Sequence, residues 1–272
     1  MARLTSLPLG LVVRLLRLLP LPDRRRAMLT CRHLARAGAD PLLWAEVAIP
    51  RALPPGGLAT LLVLPRLALL RTLHLAGLKL ALTTSLAAQM FRYIDVNTNL
   101  RSLDLSSTNL SSLPAFPLAC SLSKVPELLL SSTQLTTEQL TSLLGRLTTP
   151  QPRRTTHLDL SFNDKVRFVQ VALLSQAVKV LVRMNLSYTE LDNYTTPDIM
   201  ESMANSQVEE FDLSGCQLAK TAMDNLGLNQ CLSTITLAEV TFDPEKLDMV
   251  LTNLSLVRNL SRLDLSRSVL TE

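Results

Sequence analysis

The stretch VEEFDLSGCQL, residues Val208–Leu218, is the unit from which most of this chain is built. Apolar side chains occupy its first, fourth, sixth and eleventh positions, and Cys216 occupies the ninth. The alternation of Phe211, Asp212 and Leu213 is typical of a β-strand with one buried face, because successive side chains of a strand point to opposite sides. The pattern therefore predicts a short strand that buries Phe211 and Leu213.

The same pattern recurs along the chain in eight copies. They begin at Leu70, Leu100, Val125, Thr155, Leu181, Val208, Leu232 and Leu260. Successive starts lie 24 to 30 residues apart, which leaves room for one strand and one helix per copy. The pattern resembles the leucine-rich repeat. That resemblance implies an α/β solenoid, with a curved parallel sheet on its concave side and helices on its convex side.

The repeated leucines are predicted to form the core, because one repeat cannot bury its apolar edge alone and must stack on its neighbours. One column of stacked side chains consists of Leu103, Leu128, Leu158, Met184, Phe211, Ile235 and Leu263. The next column consists of Leu105, Leu130, Leu160, Leu186, Leu213, Leu237 and Leu265. The ninth position, whose polar atoms usually satisfy turning backbone groups, holds Leu78, Thr108, Thr133, Asn163, Thr189, Cys216, Val240 and Ser268.

The first fifty residues lack the repeat and predict a small helical unit instead. Helical spacing is followed by Leu11, Leu15, Leu18 and Leu19. Pro20 and Pro22 are expected to end this first helix. Asp23 is expected to cap a second helix that runs to Gly38.

This order of features resembles an F-box over residues 5–49. The matching residues are Leu7-Pro8, Leu15-Leu16, Leu18 or Leu19, Asp23, Thr30-Cys31, and the late Asp40, Pro41, Leu43 and Trp44. The sequence departs from the family at Gly10, where an acidic residue is usual. It also departs at Arg24 and Arg25, which replace apolar residues and are expected to remove packing. An F-box followed by leucine-rich repeats is itself a known family architecture.

The F-box resemblance implies that short helices insert apolar side chains into a groove of a Skp-type adaptor of SCF ubiquitin ligases. By position, the adaptor-binding residues would be Leu7, Pro8, Leu11, Leu15 and Leu16. Two other interpretations of this segment stay open. It could be a mitochondrial targeting sequence, because no acidic residue precedes Asp23 and arginines punctuate a leucine-rich helix. It could also be a plain helical cap on the solenoid.

The composition restricts the compartment and the class of partner. Residues 1–51 hold nine Arg, no Lys and three acidic residues, whereas the remaining chain carries a balance of −2. The four cysteines are scattered without close pairing, which favours a reducing, intracellular compartment. Aromatic residues make up only 4% of the chain, so a nucleic-acid partner is disfavoured. No apolar run reaches membrane-spanning length, and a membrane partner is not expected.

No catalytic, cofactor-binding or metal-ligating pattern stands out in the sequence. His33, His74 and His157 are the only histidines, and none has a metal-ligand partner four residues on or a nucleophile motif nearby. The cysteines lack zinc spacing, and the phosphate-binding glycine motifs are absent. We therefore expect that the chain is not an enzyme and needs no cofactor.

Binding through the concave side of the sheet is the remaining option. Side chains between the inward leucines should face that side. The candidate partner-binding residues are Asp104, Glu127, Asp159, Arg183, Asn185, Glu210, Asp212, Arg262 and Asp264. This surface would prefer basic or hydrogen-bonding segments. Alternatively, Asp and Ser at these positions merely keep the sheet face soluble.

Three segments are predicted: a helical F-box-like unit at 5–49, a connector or degenerate repeat at 50–69, and the solenoid at 70–272. The last repeat reaches Glu272 without a helix, so its final face is expected to be exposed or covered by further chain. The leading functional hypothesis is a substrate-recognition subunit of an SCF-type ubiquitin ligase, in the cytoplasm or nucleus, that joins a target protein to the Skp-type adaptor and cullin complex. The alternative is a leucine-rich scaffold or inhibitor without a ligase connection, mitochondrial if the Arg/Leu-rich start is cleaved.

Overall fold

The fold is described by a computed structural model that covers residues 6–48, 69–77, 84–149, 155–191, 195–223 and 225–271. The predicted connector at 50–69 lies outside these ranges except for Leu69, as does the ninth-position Leu78 of the first repeat.

Three short helices and a 3₁₀ turn form the N-terminal unit. They are α1 (Leu9–Arg17), α2 (Leu21–Met28), α3 (Arg32–Ala37) and the 3₁₀ turn Pro41–Trp44. The single second helix predicted from Asp23 to Gly38 is therefore wrong. The helix is interrupted at Cys31, whose backbone is extended (φ −157°, ψ 160°). Cys31 is the N-cap of the separate helix α3.

Strands and helices then alternate through the solenoid. The strands are β1 (Glu46–Ala48), β2 (Thr72–His74), β3 (Ser102–Asp104), β4 (Glu127–Leu129), β5 (His157–Asp159), β6 (Arg183–Asn185), β7 (Glu210–Asp212), β8 (Thr234–Thr236), β9 (Thr241–Phe242), β10 (Arg262–Asp264) and β11 (Val269–Leu270). The helices are α4 (Thr84–Val96), α5 (Ala115–Leu122), α6 (Thr137–Leu147), α7 (Val171–Val180), α8 (Thr195–Ala204), α9 (Lys220–Met223) and α10 (Pro244–Ser255). Two 3₁₀ turns, Asp164–Phe168 and Leu226–Leu228, complete the convex side.

Nine of the described strands form one parallel sheet in the order β1 to β8, followed by β10. The register is the same throughout, so that Leu73, Leu103, Leu128, Leu158, Met184, Phe211, Ile235 and Leu263 are directly paired across the sheet. The leucine-rich solenoid predicted from the sequence is thus confirmed. Its inward side chains are almost fully buried except in the final repeat, where Leu263 and Leu265 remain half-buried.

Among the nine described strands of the large sheet, β1 is the one that repeat periodicity did not predict. It follows directly on the 3₁₀ turn of the helical unit and pairs with β2, Val47 lying opposite Leu73. Val47 is completely buried and extends the inward column by one residue. The F-box-like unit therefore ends inside the sheet.

The residues at the starts of the convex helices α5 and α6 show how local sequence determines where a helix begins. The sequence Thr136-x-x-Gln139 fits a capping box, and these two residues form one at the start of α6. Pro114 and Pro117 predict an irregular segment because proline disfavours a helix interior, but α5 forms there. Pro114 is its N-cap and Pro117 lies in its first turn, where a backbone N–H has no partner within the helix.

A left-handed residue ends the strand segment of each repeat. The eighth position of the pattern has φ between 54° and 68° in all eight copies: Gly77, Ser107, Ser132, Phe162, Tyr188, Gly215, Glu239 and Arg267. Only two of these are glycine, so six repeats accept a conformation that costs a side-chain-bearing residue roughly 1 kcal/mol. The turn geometry is therefore imposed by the stacked repeats and not by local preference.

Candidate functional site

The first helix presents a row of leucines to solvent. Leu11 is 47% exposed, Leu15 is 44% exposed and Leu18 is 81% exposed. The opposite side of α1 is buried through Val12 and Val13 against the rest of the helical unit. An exposed row of leucines on a short helix is an unusual surface for a folded domain and is suited to a partner with an apolar groove.

The predicted adaptor-binding residues differ in their exposure to solvent. Pro8, Leu11 and Leu15 are exposed, and Leu7 is half-buried. Leu16, however, is only 3% exposed and belongs to the core, so it is not part of the surface that this structure offers to an adaptor. The reason is helical phase: Leu15 and Leu16 are about 100° apart around the axis, so both cannot face the same partner.

The helical unit is held together by Arg24, which was expected to weaken it. Its Nε donates to the carbonyl oxygen of Leu19 at 2.8 Å, and its Nη1 donates to that of Leu43 at 3.0 Å. Longer or more exposed bonds reach the carbonyls of Arg17 (2.9 Å) and Glu46 (3.4 Å). The guanidinium thus connects the end of α1, the 3₁₀ turn and the start of β1. The expectation that Arg24 removes packing is corrected, because its side chain binds orphan carbonyls at helix ends.

The second surface is the concave side of the sheet, which carries two rows of side chains. The first row consists of Thr72, Ser102, Glu127, His157, Arg183, Glu210, Thr234 and Arg262. The second consists of His74, Asp104, Leu129, Asp159, Asn185, Asp212, Thr236 and Asp264. All nine predicted concave residues lie in these rows. Eight of them, all except Asp104, line a groove of about 440 Å³ between β4 and β10.

The second row has a structural role as well. One oxygen of Asp159 accepts the backbone N–H of Ser161 at 2.8 Å, and one oxygen of Asp212 accepts that of Ser214 at 2.9 Å. Asn185 holds the corresponding turn of its repeat with its amide oxygen. Asp104 and Asp264 do the same, each at 2.9 Å. The sequence interpretation that these residues only keep the face soluble is therefore incomplete, since they also fix the turn.

The charges of the groove are partly paired. Arg183 Nη2 lies 3.0 Å from Glu210 Oε1, and Arg262 Nη2 lies 3.9 Å from Asp264 Oδ2. Within the described ranges, Glu127, Asp159 and Asp212 have no cation at ion-pair distance, so the groove keeps an anionic surplus. Partial burial raises the pKa of Asp159, and the negative charges of Asp212 and Asp104 raise it further. A cationic side chain bound there would relieve this repulsion.

His157 lies in the first row, near the positive charge of Arg183 and the negative charges of Glu127 and Glu210. Partial burial lowers the pKa of His157, the Arg183 guanidinium lowers it further, and Glu127 and Glu210 oppose the shift. Its Nδ1 lies 2.8 Å from the hydroxyl of Thr156.

No group of three or more potential metal ligands occurs in the part of the chain that the structure describes. Over the same ranges, no helix has both the length and the apolar character needed to span a membrane.

An aromatic pair at the carboxyl edge of the sheet was missed by the sequence analysis. The rings of Phe162 and Tyr188 stack with centroids 4.5 Å apart and planes inclined by 12°. They occupy the left-handed eighth position in adjacent repeats, where the repeat pattern specifies no residue type. The signal available was the presence of two aromatic residues at equivalent positions, 26 residues apart, in a chain poor in aromatic residues.

Comparisons with known proteins bear on the two parts separately. A family model described as F-box-like matches residues 4–50, and a Leucine Rich Repeat model matches residues 99–120. No curated protein matches the chain. Among solved structures, an internalin from Listeria monocytogenes covers 99% of this chain and 95% of its own length, at 13% identity and a TM-score of 0.38. At this level the likeness carries no further conclusion. The two matches and the nine-stranded sheet show that an F-box-like segment and leucine-rich repeats occur in one chain.

Proposed function

We propose that this chain is a substrate-recognition subunit of an SCF-type ubiquitin ligase. Its F-box-like unit would bind a Skp-type adaptor linked to the cullin complex, and its concave sheet would bind the target protein. The observation that carries the proposal is the exposed row of Leu11, Leu15 and Leu18 inside the segment that matches the F-box-like model. Both modules serve interaction, so the chain promotes ubiquitin transfer without catalysing it and acts in the cytoplasm or nucleus.

The alternative of a cleaved targeting segment conflicts with the packing of α1. Val12, Val13 and Leu16 belong to the same buried cluster as Leu43 and Trp44. Cleavage after Leu19 would expose this apolar surface and remove two carbonyl partners of Arg24. A mature protein that begins between residues 20 and 30 would favour a mitochondrial scaffold and overturn the ligase proposal, and N-terminal sequencing of the cellular protein decides this.

The direct test is co-purification of the full chain with a Skp-type adaptor. The variant Leu11→Asp with Leu15→Asp changes two exposed leucines and spares the buried Leu16. Each change places a charge in an apolar contact, so we expect adaptor affinity to fall by more than about 100-fold. The matched control is Leu256→Asp, at an exposed leucine that follows α10 far along the chain. No adaptor binding by the folded wild type, or equal loss in the control, would contradict the proposal.

A further inference from the structure

The aromatic pair Phe162 and Tyr188 forms a fixed wall at the edge of the concave groove. Tyr188 packs over Gly215, where a Cβ would come within 2.5 Å of the tyrosine ring. The nearby Glu239 carboxylate raises the pKa of the Tyr188 hydroxyl. Arg267 Nη1 holds that carboxylate at 3.2 Å. Tyr188 therefore packs against both neighbouring repeats, through Phe162 on one side and Gly215 on the other, before any partner arrives.

Phe162 keeps one ring face open. Its other face is covered by Tyr188, yet the residue is 54% exposed. The preceding repeat places Ser132 at the equivalent eighth position, and this short side chain leaves the outer ring face uncovered. A flat group from a partner can therefore stack on Phe162 above Ser132, extending the existing pair by one layer.

The charges around this wall determine which group fits. Each nearby cation already has an anionic partner: Lys165 pairs with Asp164, Arg167 with Glu190, and Arg267 with Glu239. The adjoining groove instead presents Asp159 and Asp212, each with one oxygen held by a turn and no cation at ion-pair distance in the described ranges. A partner group that stacks on Phe162 and approaches these carboxylates must be positively charged.

We propose that Phe162, Tyr188, Asp159 and Asp212 dock an extended, arginine-bearing segment of a target protein. The arginine guanidinium suits this place because it is planar, stacks on aromatic rings and binds carboxylates with two parallel hydrogen bonds. Lysine offers only a compact point charge there. The inference rests on the proposed function for the origin of the segment, whereas the binding itself requires neither adaptor nor ligase.

The test uses the purified full chain and a fluorescein-labelled dodecapeptide of alternating arginine and glycine, with lysine–glycine and glutamate–glycine peptides as comparisons. Fluorescence anisotropy at 50 and 300 mM salt gives the affinities. We expect the arginine peptide to bind several-fold more tightly than the lysine peptide, and the glutamate peptide not to bind. Binding of the arginine peptide should weaken with salt, because the Debye length falls from roughly 14 Å to 6 Å.

Two variants separate stacking from charge. Phe162→Ser copies the residue of the preceding repeat and should weaken arginine-peptide binding about fivefold. The double variant Asp159→Asn and Asp212→Asn keeps both turns, as Asn185 does natively, and should weaken binding by about tenfold while reducing the salt dependence. The matched controls are Phe116→Ser on α5, where Phe116 is 67% exposed, and Asp248→Asn on α10.

The docking inference and the ligase proposal are contradicted by different results. Failure of a folded wild type to bind the arginine peptide, equal affinity for arginine and lysine peptides, or equal effects of Phe162→Ser and Phe116→Ser would overturn this inference. Adaptor co-purification is measured on the same samples. If the adaptor fails to bind while the arginine peptide binds as expected, the ligase proposal is overturned and the docking inference stands.

Discussion

Replacing Arg24 with methionine should destabilise the helical unit that carries the exposed leucine row. Methionine keeps an unbranched apolar side chain but donates no hydrogen bonds. Two of the guanidinium bonds, to Leu19 and Leu43, are partly buried, and the other two are exposed and can be replaced by water. A hydrogen bond from a charged donor contributes about 1.5 kcal/mol at the lower end of measured values, so the two partly buried bonds give about 3 kcal/mol.

The cost of burying the charge reduces this figure. Burial lowers the pKa of Arg24, and the positive charge of Arg17 lowers it further, which shows that the protonated form carries a penalty in this place. We therefore expect a net loss of about 2 to 3 kcal/mol in the free energy of unfolding.

Urea unfolding followed by tryptophan fluorescence measures this effect within the correct unit. Trp44 is the only tryptophan of the chain, and its buried Nε1 donates to the carbonyl oxygen of Gly38 at 2.8 Å. With a denaturant slope near 2 kcal/mol/M, the midpoint should fall by about 1 to 1.5 M. The matched control is Arg25→Met, the exposed neighbour on the same helix. If Arg24→Met and Arg25→Met share one midpoint, the interpretation of Arg24 as a clamp is refuted.

Three further predictions concern the solenoid. Asn163 is buried and its Nδ2 donates to three backbone carbonyls at 2.8 to 3.1 Å, so Asn163→Ala should cost about 3 kcal/mol by calorimetry, and an unchanged Tm would contradict this. Gly215→Ala must place a Cβ against Tyr188 at positive φ, so we expect a loss of about 2 kcal/mol; a loss of only about 1 kcal/mol, the cost of the backbone conformation alone, would show that the ring does not pack there. His157 has a lowered pKa in the fold, so the unfolded chain binds the extra proton first and stability falls as pH drops through about 6.5. His157→Asn should remove this component from the difference in unfolding free energy between pH 7.5 and pH 5, and an unchanged difference would show that His157 is not responsible.

The repeat core was predictable because its signal is redundant. Leu128, Leu158 and Met184 lie in one column because each repeat supplies the same apolar spacing, and a weak copy is corrected by its neighbours. Strand β1 was not predictable on this basis. Val47 lies inside the F-box-like segment, and no complete copy of the repeat pattern surrounds it.

The candidate surfaces were predictable only in part. Helix α1 is apolar on nearly every side, so spacing alone could not show that Leu15 faces solvent while Leu16 is buried. The role of Arg24 depends on carbonyls from residues up to 22 positions away, which no local pattern contains. The stack of Phe162 and Tyr188 arises because two repeats bring equivalent positions together, and its significance appears only after the register is known.

The pairing of β1 with β2 has a mechanical consequence. Because Glu46–Ala48 forms the first rung of the sheet, the leucine row on α1 and the concave groove belong to one continuous hydrogen-bonded framework. The groove between β4 and β10 lies three to eight strands from that rung, or about 14 to 38 Å at the usual strand spacing. Under the proposed function, the number of repeats between β1 and the groove sets the distance between the ligase and the target. Adding or deleting one repeat before β4 would therefore change which lysines of the target the ligase can reach.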